Sequence, residues 1–155
     1  MSFNKPKVYS STIRDVKFGL DVSLVKPCNL YECQIGSFSF IGPFVEIQSK
    51  AIIGDNCRVQ SHCFICSNVT IGNNCFIGHG VTFTNDLFKE GSPSKEEKDW
   101  LPTIIENNVS VGSGSTILPV KITEGCVIGA GSVVTKNLEV KGIYAGNPAK
   151  LIRKL

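Results

Sequence analysis

His62 and His79 are the only imidazoles in a chain of 155 residues, so a proton that must be taken up near neutral pH has two obvious acceptors. A second group that could do chemistry closes the chain. From Val140 onward come Lys141, Lys150, Arg153 and Lys154, while Glu139 is the last acidic residue. Beside the turn Ala145-Gly146-Asn147-Pro148, which offers backbone donors, these cations suit a phosphate; a solvated basic tail is the plainer reading of the same charges. Metal chemistry has less behind it. Cys63 and Cys66 have CxxC spacing but no matching second pair, so no structural zinc is expected.

What must position these residues is a six-residue beat. Ile35, Ile41, Ile47, Ile53, Val59, Ile65, Ile71 and Ile77 fall six apart without a break. The fourth residue after each is small, β-branched or Cys: Ser39, Val45, Ala51, Cys57, Cys63, Val69, Cys75 and Val81. Neither an α-helix nor a plain strand has that period. A hexad repeat predicts a parallel β-helix, in which three hexads make one triangular coil of about eighteen residues. The beat runs back through Leu30, Leu24 and Phe18, and forward from Ile105 through Val111, Ile117, Ile122 and Ile128 to Val134, with five-residue steps at Ile35 and Ile122. Residues 87–104, which include two prolines and many charges, break it and predict a loop projecting from a corner. The ending predicts a turn into a short terminal helix, with Asn147 as N-cap and Pro148 at the first helical position.

Residues 1–155 thus read as a single all-β domain. No signal-peptide pattern or eighteen-residue apolar run is present, so a cytoplasmic protein that does not engage a membrane is expected. A formal net charge of +3 is too weak to imply nucleic acid. Cys28, Cys57, Cys63, Cys75 and Cys126 share the small inward position, which reads as core thiols. Phe40, Phe64 and Phe76 fall at the outward sixth place of their hexads and invite a partner surface.

The hexads and the ending IGAGSVVTKNLEVKGIYAGNPAKLIRKL resemble the left-handed β-helix acyltransferases, the hexapeptide-repeat transferases that use acetyl-coenzyme A. More narrowly, VQSHCFICSNVTIGNNCFIGHGVTFTNDLF resembles the nucleotide-sugar N-acetyltransferases, which acetylate amino deoxysugars carried on dTDP or UDP for bacterial surface glycans. The resemblance implies a homotrimer with active sites between neighbouring prisms. It places the base histidine two residues after the inward aliphatic, the position of His79. There His79 either takes the proton or, if the departing thiolate takes it, orients the amine; the bland alternative is a corner residue bonded to a backbone carbonyl. His62 reads either as a substrate or nucleotide contact or as a structural corner residue.

Asn85 offers a donor and an acceptor for the sugar amine, and Asp86 an acceptor, although both could simply launch the loop through an Asx-type turn. Both Asn85 and the basic tail are expected near the edge that holds His79. Trp100 either stacks on a ligand or anchors the loop. For the coenzyme, the resemblance implies backbone contacts around Gly112, Gly129 and Ala130, with Lys136, Lys150 and Arg153 meeting the phosphates. The Thr-x-x-His-Pro sequence of relatives that acetylate hydroxyls is absent after Phe83, because no histidine follows Thr84. That departure disfavours O-acetylation of a sugar or small hydroxyl acceptor without removing it. Gamma-carbonic-anhydrase-like chemistry would need three histidines where this chain has two.

Overall fold

Most inward aliphatics close a strand of two or three residues, too short to stand alone but paired, within the stack, by coils above and below. The structure, a computed structural model, describes residues 12–155. Its strands stack into sheets of seven, six and eight strands, parallel except for the last strand of the chain, the three walls of a left-handed β-helix. We call them faces I, II and III in the order the chain visits them. Thr82–Phe83 lies on face I, Val69–Ile71 on face II and Phe76–Ile77 on face III. Phe40 pairs with Arg58 and Arg58 with Phe76, an eighteen-residue step. The five-residue steps shorten it to seventeen, as between Ile104 and Lys121.

Ile41, Ile47, Ile65, Ile77, Phe83 and Ile117 are completely buried on the axis of the prism. Burying each such side chain contributes about 1.5–3 kcal/mol before the entropy of ordering is subtracted. The seven cysteines are free and buried. Burial pushes the Cys63 thiol up to about 11 and the Cys66 thiol up to about 12, which suits packing and not nucleophilic chemistry. Small polar residues at the same inward place turn their hydroxyls to backbone carbonyls, as Ser132 does to Gly129 at 2.6 Å.

The corners turn through left-handed residues at six-residue intervals, among them Phe38, Phe44, Lys50, Asn56, His62, Asn68 and Asn74. The loop leaves after Thr82–Phe83 and re-enters at Thr103–Ile105, so it projects from the edge between faces I and II and is slightly shorter than expected at its C-terminal end. It adds a lateral excursion without disturbing the stack: Thr70 pairs with Ile52 eighteen residues before it and with Ile104 thirty-four after it.

Three expectations are corrected. No helix follows Asn147. Gly142–Ala145 forms one more strand on face III, and Lys150–Lys154 folds back antiparallel against it through a turn with a cis Asn147–Pro148 bond. The last parallel strand would otherwise present an unpaired edge, and pairing that edge outweighs local capping chemistry. The beat also continues past Val134, because Leu138 bridges to Ile122 and Tyr144 pairs with Ile128, both buried. The outward rings are drier than expected. Of Phe40, Phe64 and Phe76 only Phe76 is exposed; Phe64 packs against the core, and Arg58 covers Phe40.

Candidate active site on the edge between faces III and I

His79 follows Ile77 by two residues, at the bend where face III turns into face I. Its carbonyl accepts the Gly114 N–H at 2.8 Å, and its own N–H donates to Ser113 Oγ at 3.1 Å. The backbone is therefore fixed from the next coil. The imidazole is exposed and makes no hydrogen bond among the described residues. It is not spent on a carbonyl, so the bland reading of a bonded corner residue does not describe it.

His62 shares this edge one coil earlier, as its spacing requires. The Gly80 N–H donates to the Ser61 carbonyl at 2.9 Å, which sets 61–62 directly over 79–80. Its ring stacks on Phe44 with centroids 4.8 Å apart and planes 16° from parallel. In the opposite direction the edge is bare. The left-handed apex positions run Phe44, His62, Gly80, Gly114 and Gly131, with φ of 59°, 62°, 65°, 69° and 67°. A Cβ built on Gly80, Gly114 or Gly131 would have nothing within 4 Å. The result is a strip without side chains that begins beside His79.

Gly112, Gly129 and Ala130 border this strip, on the edge that holds His79. Two of them have a further duty. A Cβ on Gly112 would sit 2.4 Å from the Ala130 nitrogen and one on Gly129 2.9 Å from the Ala145 Cβ, so coil stacking itself demands glycine. Lys150 pairs with Ala145 at the far end of this edge, and Arg153 pairs with Ile143 farther along the face. Lys136 is exposed on another edge, between faces I and II. The expected cluster of three cations is thus divided.

Asn85 and Asp86 are also on the I/II edge, so within one chain His79 and Asn85 do not share an edge. Face I separates them. Asn85 stitches the base of the loop: its Nδ2 donates to the Ser67 carbonyl at 3.4 Å, and its carbonyl accepts the Leu101 N–H at 2.8 Å. Asp86 organises the turn, accepting from the N–H of Phe88 at 2.9 Å and from the N–H and hydroxyl of Ser94 at 2.6 and 3.0 Å. The backbone N–H of Ser94, then that of Phe88, holds its carboxyl below the usual range. Trp100 is half-buried at the end of a 3-10 turn, Glu97–Asp99, which Lys50 pins to the preceding coils through Glu97 at 3.2 Å. The loop encloses an open cavity of about 720 Å³, lined by Asp86, Leu87, Pro93 and Leu101 among others and not reaching His79.

A depressed folded-state pKa contributes stability that is present above the unfolded value and lost as pH falls through the folded one. Amide exchange at Phe88 and Ser94, relative to intrinsic rates, should therefore remain protected from neutral pH to about pH 4 and lose protection below it. Asp86→Asn should remove that protection at pH 7. Equal protection in the variant would show that the carboxylate does not hold the loop.

Sequence reasoning missed the bare strip, although its signal was present. Gly80, Gly114 and Gly131 each stand three residues after an inward aliphatic, at the place taken by His62 and Phe44 in earlier coils.

The comparisons agree with the repeat and the fold. The family model described as bacterial transferase hexapeptide (six repeats) matches residues 32–67, and that described as hexapeptide repeat of succinyl-transferase matches 68–84 and 102–136. Together they take in more than half of the chain and skip the projecting loop. A chloramphenicol acetyltransferase from Klebsiella aerogenes is 49% identical over 53 residues, 34% of this chain and 25% of that protein. The matched segment thus spans about a quarter of the length of this curated relative.

Among solved structures, a variant of AntD, an N-acyltransferase from Bacillus cereus in complex with dTDP and coenzyme A, superposes with a TM-score of 0.71 at 21% identity, covering 92% of this chain and 85% of that one. The acetyltransferase domain of PglB from Neisseria gonorrhoeae, in complex with acetyl-coenzyme A, gives 0.65 at 18% identity over 88% of this chain and 57% of that one. Fold and edge together define a hexapeptide-repeat β-helix. The chain belongs to the hexapeptide-repeat acyltransferase superfamily.

Proposed function

We propose that this protein transfers the acetyl group of acetyl-coenzyme A to the amino group of a nucleotide-linked amino deoxysugar destined for a bacterial surface glycan. The observation that carries the reading is the exposed, unbonded His79 imidazole at the head of a strip without side chains. Such a strip suits a long, thin acyl carrier lying against backbone, with its thioester end at the histidine. Gly112, Gly129 and Ala130 border its path, while Lys150 and Arg153 stand toward its far end for phosphate groups. Lys136 is a more distant candidate for the same role. The AntD and PglB complexes support a coenzyme partner, and the dTDP bound to AntD supports a nucleotide-linked acceptor.

In the reaction, the neutral amine attacks the thioester carbonyl. The N–C bond forms, the C–S bond breaks, and coenzyme A leaves as thiolate while His79 accepts the proton from nitrogen. The His79 and loop edges lie on opposite sides of face I, so one chain cannot bring them together. A cyclic trimer can, because a heterologous contact joins two different edges and closes after three copies. It would carry the loop of one copy, with Asn85, Asp86 and Trp100, to the His79 edge of the next. Asn85 would then orient the amine, and Asp86 and Trp100 would bound the acceptor site.

A thiol-release assay against dTDP- and UDP-linked amino sugars tests this reading. Release should require the amine, with sugars bearing only hydroxyls inert. Gly114→Asn, which tolerates the left-handed backbone but fills the strip, should raise the KM for acetyl-coenzyme A about tenfold while the protein stays folded. Release with hydroxyl acceptors and none with amines would instead support O-acetylation, the reading favoured by the identity to a chloramphenicol acetyltransferase.

A further inference from the structure

On the other side of His79 the same edge is aromatic. The Phe44 and His62 rings stack at 4.8 Å, one coil rise, and Phe44 is 57% exposed at the apex. Cations accompany them. Arg58, four residues before His62, lays its guanidinium 5.4 Å from the centroid of Phe40, itself four residues before Phe44. Lys26 extends the edge one coil beyond Phe44, whose N–H donates to the carbonyl of Pro27. Neither Arg58 nor Lys26 has a carboxylate partner among the described residues.

An exposed planar stack with unpaired positive charge beside it matches the two halves of a nucleotide. Bases stack on aromatic rings whatever their sequence of donors, and diphosphates seek guanidinium and ammonium groups. Two small rings are too little area for a stable protein partner, which needs far more buried surface. Phe44 stands two coil rises from the level of His79, roughly 10 Å, a span that a diphosphate and its sugar can bridge.

We propose that Phe44 and His62 form the platform for the nucleobase of the acceptor, with Arg58 meeting its diphosphate; this rests on the reading above that the acceptor is a nucleotide sugar. The two substrates then approach His79 from opposite ends of one edge, the coenzyme along the glycines and the nucleotide from the aromatic side. Direct transfer between them needs no relay through the protein.

Calorimetric titration of dTDP, UDP and coenzyme A into the full chain tests the platform. Phe44→Asn keeps a residue that accepts positive φ while removing the ring, and Arg58→Gln removes the charge. Each should raise the Kd of whichever nucleoside diphosphate the wild type binds, on the order of tenfold, and leave the Kd for coenzyme A unchanged. His62→Asn provides a second probe of the stack, and melting curves verify folding. Phe38→Asn is the control, since Phe38 has the same φ of 59° and similar exposure on the edge between faces II and III. It should change nothing.

Three results would overturn the platform: no nucleoside diphosphate bound by the wild type, unchanged nucleotide affinity in folded variants, or a loss that falls on coenzyme A. Nucleotide binding that depends on Phe44, in a protein inert toward every amino sugar, would leave the platform standing and sink the acceptor reading. Acetylation of an amino sugar with unaltered KM in Phe44→Asn would do the reverse.

Discussion

Replacing His79 with Asn lowers turnover at least about a hundredfold, the lower range for loss of a general base, while coenzyme A binds as before. The expectation follows from placement. The backbone at 79 is held by Ser113 and Gly114, so the substitution leaves the corner in shape and removes only the unbonded ring. The bare strip lies on backbone and glycine, which explains why coenzyme affinity should survive. Stopped-turnover kinetics with a saturating amino-sugar acceptor provide the measurement. A fall in kcat of less than about tenfold, with a raised KM for the acceptor, would move proton acceptance to the departing thiolate and leave His79 to aim the amine. Unchanged kinetics would remove it from the reaction.

Phe83→Ala is expected to cost about 3–5 kcal/mol, a large share of the 5–15 kcal/mol that holds an ordinary domain together. Phe83 is completely buried and ends the last strand before the loop. Its strand pairs with Thr116–Ile117, so the cavity would open between coils that the loop interruption already leaves to non-local pairing. Thermal unfolding should shift down by about 10 °C. Activity should fall as well, because face I sets the distance between the two edges of the proposed intersubunit site. A shift of only a few degrees would mean that neighbouring Ile65 and Ile117 collapse into the space.

The prism itself was legible because its rule is local and repeated. At every sixth position an aliphatic residue points inward, and the five-residue steps foretell the seventeen-residue register at Ile104 and Lys121. Two features were less accessible, each for a physical reason. GNPAK carries good local signals for a helix start, but a strand edge at Gly142–Ala145 offers backbone partners that a short helix cannot match. His79 and Asn85 occupy the same place in successive hexads, two residues after Ile77 and Phe83. Equal places in successive hexads fall on consecutive edges; a shared edge needs a spacing near eighteen, as between Ser61 and His79. The free imidazole depends on a side-chain position that no periodicity encodes, whereas the bare strip was written in the spacing of Gly80, Gly114 and Gly131 and was overlooked.

The loop re-enters in register, with Val69 beside Thr103 and Thr70 beside Ile104. Its length and composition are consequently uncoupled from the wall that carries it. An insertion of this kind can lengthen, shrink or be exchanged like a cassette while the stacked coils stay as they are. If the proposed intersubunit site holds, acceptor choice diversifies on an unchanging chassis, and grafting another loop between Thr84 and Pro102 should alter it.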